Sequence, residues 1–305
     1  MAQVPPNKVT NVVADLNNVR IRPVSPHDKA AILAFCQHSF EDEADYIQYV
    51  WDIWVAEPAG HILVAELDDC PVGMTRLVEF SKTEGWWEGL RVDRDYRKRG
   101  IGHSLFKATM EKAEALGLNT LRTCVSGKNS LMQSFVRSRG WLPKGDYAVC
   151  RADAIDKSPT SLRLLQPRDL DAVWPEISTL NLTVHQPLFV QRGAKWQSLN
   201  KSTLARLLDK GWIWGVFKDK TIESLFIRSR MENPVGNLWI GWFGSSSAGL
   251  PVTLRDMQRL AHQEGFNAVA GFVPQSPSLL ETMKSLSYQF NNKAVYQVYD
   301  LTIYP

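Results

Sequence analysis

Trp86-Trp87-Glu88-Gly89-Leu90-Arg91-Val92, followed after four residues by Arg97-Lys98-Arg99-Gly100-Ile101-Gly102-His103-Ser104-Leu105-Phe106, is the stretch that decides the fold. The first segment is largely apolar and reads as a buried strand. Two glycines two apart let the backbone turn tightly and keep it bare, so successive N–H groups can approach a ligand. The next segment reads as a helix, because Phe106, Met110, Ala113 and Leu116 fall three or four apart and Gly117 is placed to end it. A glycine loop at a helix N-terminus is a ready anion site, and the basic residues before it add charge. The ligand group this favours is a phosphate.

Two familiar phosphate loops do not fit. A dinucleotide fingerprint needs a small residue at position 105, where Leu105 stands, and a Walker loop needs a closing Gly-Lys-Ser/Thr triplet that the chain lacks. For a lone Gly-x-Gly the competing reading is a turn-shaping pair with solvated basic neighbours.

Leu90-Arg91-Val92, the four-residue gap and Arg97-x-x-Gly100-x-Gly102 together resemble the acetyl-CoA signature of the GNAT N-acetyltransferase superfamily. A second family block follows, with Thr120–Val125 as a strand, then Asn129-Ser130-Leu131-Met132, and Gly140-Trp141 closing a helix. That helix is expected at about 130–139, capped by Asn129, with Leu131, Met132, Phe135 and Val136 on its buried face. The resemblance covers roughly residues 19–150. It implies acetyl-CoA as co-substrate, held by Leu90, Arg91, Val92, Arg97, Lys98, Arg99, Gly100, Ile101, Gly102 and His103, with Asn129 at the cofactor arm. It also implies an acyltransferase that moves acetyl to the primary amine of a small molecule or amino acid. The family route is direct attack in a ternary complex, the backbone N–H groups of about Leu90–Val92 polarising the acetyl carbonyl.

Such a reaction needs a base for the incoming ammonium. Glu88 is the candidate catalytic residue, an ionisable side chain in an apolar strand at a position where family members carry a glutamate or histidine. The competing reading pairs Glu88 with a neighbouring arginine, and Glu84 is a weaker alternative. The family's usual tyrosine acid would fall at Val136, so that role stays open among Tyr147, Tyr96, Ser134 and solvent. For the acceptor, the acidic and aromatic stretch Phe40–Trp54 suits a cationic or amphipathic amine, with Asp45, Tyr46, Tyr49 and Trp86 as substrate-binding candidates. Its plainer reading is an amphipathic helix with Tyr46, Ile47, Val50 and Trp54 inward. Asp45-Tyr46, Trp54, Glu57-Pro58 and Glu88–Val92 are also similar to the branch that includes animal histidine N-acetyltransferases.

Composition limits the partners. The chain has 305 residues, 44% hydrophobic and 22% charged, which describes a soluble globular protein with room for two domains. A net charge of +3 is too balanced to imply nucleic acid, and Asp93 and Asp95 interrupt the one basic cluster (Arg91, Arg94, Arg97, Lys98, Arg99). Cys36, Cys70, Cys124 and Cys150 are scattered, which fits reduced thiols and a cytoplasmic location. No signal peptide, membrane span or metal-ligand spacing is read, so neither membrane nor metal is expected. A monomer or homodimer is expected.

The chain also repeats itself. Ile21-Arg22-Pro23-Val24-Ser25-Pro26-His27-Asp28 recurs loosely as Leu162-Arg163-Leu164-Leu165-Gln166-Pro167-Arg168-Asp169, and Gly60–Ala65 is echoed by Gly211–Val216. Pro71–Phe80 is answered by Thr221–Arg230, and Glu88–Val92 by Trp239–Phe243. The fold class expected is therefore α/β (α+β): two tandem GNAT-like domains, each a mixed, mostly antiparallel sheet flanked by helices. The boundaries are an extension over 1–18, a catalytic domain over 19–156 and a second GNAT-like domain over 157–305, joined by a polar linker near Asp156–Thr160. After Phe243 the second half reads Gly244-Ser245-Ser246-Ser247-Ala248-Gly249-Leu250-Pro251, with no basic residue and a proline that lacks the N–H a cradle needs. It is expected to have no cofactor loop and a structural role. The alternatives are a non-catalytic acyl-CoA-binding or regulatory module, transfer to a protein amine, or nucleic-acid binding through 91–99.

Overall fold

The computed structural model describes residues 18–39, 45–156, 159–183, 185–218, 221–230 and 236–303. Residues 1–17 of the extension read over 1–18, Phe40–Ala44 of the acidic stretch and Lys157-Ser158 of the linker lie outside these residues. The chain forms two compact units: one comprises Met1–Val78 with Glu88–Ala115, the other Glu79–Trp87 with Leu116–Pro305.

In the first unit, β1 (Arg20–Pro23), β2 (Gly60–Leu67) and β3 (Cys70–Glu79) pair antiparallel in that order, Arg20 opposite Glu66 and Ile62 opposite Arg76. Alternation along β2 sends Ile62 and Val64 to one face, where α1 (Lys29–Cys36) and α2 (Ile47–Val55) pack Ile32, Phe35, Ile47, Trp51 and Trp54 against them. Leu63, Ala65 and Leu67 face the other way, toward Ile101 and Leu105 of α3 (Ile101–Ala115). Ser25 starts the turn into α1 through a capping box with Asp28, whose Oδ2 accepts from the Ser25 N–H at 2.6 Å. The amphipathic reading of α2 is corrected at one point: Ile47, Trp51 and Trp54 are buried, but Tyr46 precedes the helix and is 43% exposed.

β4 (Glu84–Val92) runs from the second unit into the first; its start, Glu84–Trp86, pairs parallel with Thr120–Arg122 of β5 (Thr120–Ser126). The second unit then carries α4 (Ser130–Arg137), β6 (Leu142–Asp153), β7 (Arg163–Leu164), α5 (Leu170–Val173) and α6 (Glu176–Thr179). A hairpin, β8 (Leu188–Arg192) with β9 (Lys195–Ser198), precedes α7 (Lys201–Asp209), β10 (Ile213–Lys218), β11 (Thr221–Ser229) and β12 (Asn237–Ser245). The chain ends through α8 (Leu250–Gln263), β13 (Ala268–Pro274), α9 (Pro277–Ser285) and β14 (Gln289–Thr302).

The strand order in this unit is β5-β14-β6-β13-β12-β11-β10-β7, antiparallel except for β12 with β13. The final strand, β14, therefore lies beside β5, with Tyr299 opposite Thr123, while β6 lies beside β13. The two sequence halves exchange their last strands. The repeat is visible in detail, since Gln166 N–H donates to Asp169 Oδ2 at 2.8 Å just as Ser25 does to Asp28. The mixed, mostly antiparallel sheets flanked by helices match the fold class expected from the sequence.

Leu131 corrects the reading of α4. Asn129 caps that helix and Val136 is fully buried, but Leu131 is 83% exposed. In eight residues the inward stripe has room for Met132 and Val136, four apart, and Leu131 falls off it.

Candidate active site

The glycine loop lies wholly in the first unit. Lys98 and Gly100 take positive φ, 62° and 82°, which turns the chain sharply into α3. A side chain at Gly100 would meet open space, so the glycine answers to backbone conformation and not to crowding. Gly102 lies over the strand, its missing Cβ 3.8 Å from Val92 Cγ2. Arg97 Nε donates to the Val92 carbonyl at 3.1 Å, and Arg99 Nη2 to the Asp95 carbonyl at 3.0 Å. His103 and Ser104 donate their N–H groups to the Gly100 carbonyl, at 2.9 and 3.0 Å, closing the first turn. The N–H groups of Ile101 and Gly102, at the very start of the helix, have no intrahelical carbonyl to bind. Arg97, Lys98 and His103 are exposed around them. Bare backbone, a helix N-terminus and exposed cations make a cradle that fits a pyrophosphate.

Glu88, on β4 in the same unit, is half-buried, and its Oε1 accepts from Arg76 Nη1. Arg76, on β3, is entirely buried and gives its other terminal nitrogen, Nη2, to Glu57 Oε2. Its guanidinium sits 4.7 Å from the Trp54 ring centroid. The arginine pairing weighed for Glu88 is thus present, in a larger cluster that sequence reasoning missed. Its signal is an arginine in the alternation Met74-x-Arg76-x-Val78 of an apolar strand. Gly89, beside Glu88, has φ 71°, and a Cβ there would come within 2.9 Å of Trp54.

Among the acceptor candidates, Asp45 is buried and committed. Its Oδ2 accepts from Arg91 Nε at 2.6 Å, while Oδ1 accepts from Arg91 Nη2 and from the Ile47 N–H, both at 3.1 Å. The Arg91 side chain is turned to this task, so only its backbone remains for a cofactor. Tyr46 and Tyr49, 43% and 72% exposed, present aromatic surface, and Tyr46 packs edge-on to Trp54. Trp86 does not: it is 1% exposed in the core of the second unit, stacked on Phe80 and tilted against Trp196, and offers no face to a substrate. This corrects its reading as a substrate contact.

Asn129 lies in the second unit, where its side-chain oxygen accepts from the Met132 N–H at 2.9 Å. Of the open candidates for the acid, Tyr147 is buried against Trp196, and burial pushes its phenol above the ordinary range.

The second half repeats the strand geometry without the cradle. β12 pairs with β13 only from Asn237 to Ile240, and the gap beyond is filled by the chain itself. A Cβ at Gly241 would collide with Phe189, and Ser245 N–H donates to the Leu180 carbonyl at 3.1 Å. The loop before α8 is satisfied internally, Gly249 and Leu250 N–H both reaching the Ser246 carbonyl.

A strand, a cationic glycine loop and a helix N-terminus in this order make a site suited to the phosphates of a cofactor. Residues 29–141 match the model of the Acetyltransferase (GNAT) family. The GCN5-related N-acetyltransferase of Sphaerobacter thermophilus shares 16% identity over 95% of this chain and 97% of its own, at a TM-score of 0.58. A tandem GNAT protein of the clavulanic acid biosynthesis pathway shares 13% over 94% and 99%, at 0.55, and a Thermoplasma acidophilum structure 14% over 93% and 100%, at 0.57. These likenesses establish the fold over nearly the whole chain. No curated protein matches the sequence. Among the described residues no His, Cys, Asp or Glu cluster suited to a metal occurs, and no helix is long and apolar enough to cross a membrane.

Proposed function

We propose that the first unit transfers acetyl from acetyl-CoA to the primary amine of a small molecule by direct attack in a ternary complex. The observation that carries this reading is the bare turn at Lys98–Gly102 running into α3, with Arg97 tied back to Val92. The helix start and Lys98 hold the cofactor's pyrophosphate, and N–H groups along Leu90–Val92 polarise the acetyl carbonyl. Glu88 takes a proton from the acceptor's ammonium, the amine nitrogen attacks the carbonyl carbon, and the carbon–sulfur bond breaks to release the thiolate. Tyr46 and Tyr49 line the approach of an amphipathic acceptor.

The second half, lacking a cationic loop and with its strand gap filled by Phe189, serves as scaffold. Because its last strand completes the row beside β5, the domain boundary near 156 marks a repeat in sequence. None of the four cysteines is in a disulfide, which suits a reducing cytoplasm.

Calorimetric titration of acetyl-CoA into the full chain, followed by an amine panel screened for thiol release, tests the reading. One equivalent bound and turnover of a primary amine is the expected result. Two equivalents would give the second half a cofactor site, and no binding would sink acetyl transfer altogether.

A further inference from the structure

Arg76 is an expensive residue to keep where it stands. It is 0% exposed in β3 with Ile62 as its cross-strand neighbour, and among the described residues its Nε has no hydrogen-bond partner. A buried ion cluster is weak evidence for stability, since apolar side chains of similar volume fill such a place without the desolvation cost. What only an arginine provides here is a rigid planar fork. One prong, Nη1, meets Glu88, and the other, Nη2, meets Glu57, two residues beyond the end of α2. The plane of the fork rests on Trp54, whose ring also abuts Gly89 at the left-handed kink directly after Glu88. Gly60 leaves room for the fork: a Cβ there would lie 2.6 Å from Arg76 Nη2. Three elements, α2, β3 and β4, thus converge to fix the direction of one carboxylate.

We propose that Arg76 is a positioning residue: braced by Glu57 and Trp54, it holds the Glu88 carboxylate in the orientation that accepts the proton of the acceptor's ammonium. The inference rests on the reading of Glu88 as base. In the step it serves, Glu88 gains one ammonium proton, the nitrogen–carbon bond forms, the nitrogen gives its second proton to solvent, the carbon–sulfur bond breaks, and the thiolate takes a proton from solvent. Glu57 does not touch the acceptor in this scheme. It keeps the guanidinium from swinging.

The test compares Arg76→Met, Arg76→Lys, Glu57→Gln and Glu88→Gln with wild type in the full chain. Four readouts apply: acetyl-CoA affinity by calorimetry, thermal midpoint, kcat and KM against pH on an amine from the panel, and the Glu88 side-chain carboxyl 13C resonance. Arg76→Met is expected to bind acetyl-CoA within about twofold of wild type, to melt lower because Glu57 and Glu88 are left without their counter-ion, and to lose about 100-fold in kcat. Arg76→Lys should not rescue it, since a point charge lacks the second prong. Glu57→Gln should lower kcat about tenfold with little change in KM, displace the acid limb of the pH profile, and broaden the Glu88 resonance. Full activity in Arg76→Met or Arg76→Lys, with Glu88→Gln inactive, overturns the positioning role while the base stands. Full activity in Glu88→Gln overturns the base, and this inference with it. Wild-type binding of acetyl-CoA without turnover of any amine overturns both.

Discussion

Arg97 spends its Nε proton on the carbonyl of Val92, 3.1 Å away, and so ties the glycine loop to the strand that precedes it. Its exposed side chain therefore shapes the cradle and adds charge at once. Arg97→Ala should weaken acetyl-CoA binding about tenfold, the value of one charge-assisted hydrogen bond. The melting temperature should hardly move. Unchanged affinity by calorimetry would remove Arg97 from the cofactor site.

Asp45 belongs to the fold before it belongs to any substrate. Both oxygens are held by Arg91, whose side chain is 12% exposed against 2% for the aspartate. Asp45→Ala leaves a mostly buried guanidinium without its counter-ion and should cost about 3–5 kcal/mol in urea unfolding. A variant of normal stability that had lost only acceptor affinity would return Asp45 to the substrate side.

Acid should loosen the first unit. The Arg22 guanidinium, hydrogen-bonded to Asp28 at 2.7 and 2.8 Å, holds that carboxyl below its usual range, helped by the Ser25 N–H and against the opposing effect of burial. Arg20 and Arg22 lower Glu66 in the same direction. A carboxylate whose folded pKa is depressed contributes stability at neutral pH, and that contribution is lost as pH falls through about 4 toward the folded value. Arg22→Leu should flatten this acid limb in thermal melts between pH 6 and about 3. An unchanged slope would show that other carboxylates carry it.

Cutting the chain after position 156 should not yield a working domain. β5 would lose Tyr296–Thr302 as its partner, and Arg122 would lose Asp300, whose Oδ1 lies 2.8 Å from its Nε. An unpaired strand edge invites association, so a 1–156 fragment should sediment as aggregate. Supplying 157–305 on a separate chain should restore solubility. A monomeric, acetyl-CoA-binding fragment would refute the dependence.

Local chemistry made much of this legible in the sequence. Gly100, Gly102 and Gly117 punctuate their helix, Asn129 caps the next, and the paired Pro-x-Asp turns at 26–28 and 167–169 mark the repeat. Each signal acts within four or five residues. What stayed hidden depends on distant registers: the pairing of Tyr299 with Thr123, and the meeting of Arg76 on β3 and Glu88 on β4 with Glu57 in the connection after α2. Arg76 carries no local pattern beyond being a charge in an apolar strand. Trp86 misled because an aromatic before a candidate base looks the same whether it lines a cleft or a core.

The exchange of β6 and β14 also sets a schedule for synthesis. β5 is complete once Ser126 is made, yet the strand that pairs with it ends only at Thr302. At translation speeds of about 5–20 residues per second, that edge waits on the order of ten seconds or more for its neighbour. Throughout that interval the edge of β5 stands without the strand that covers it in the folded chain.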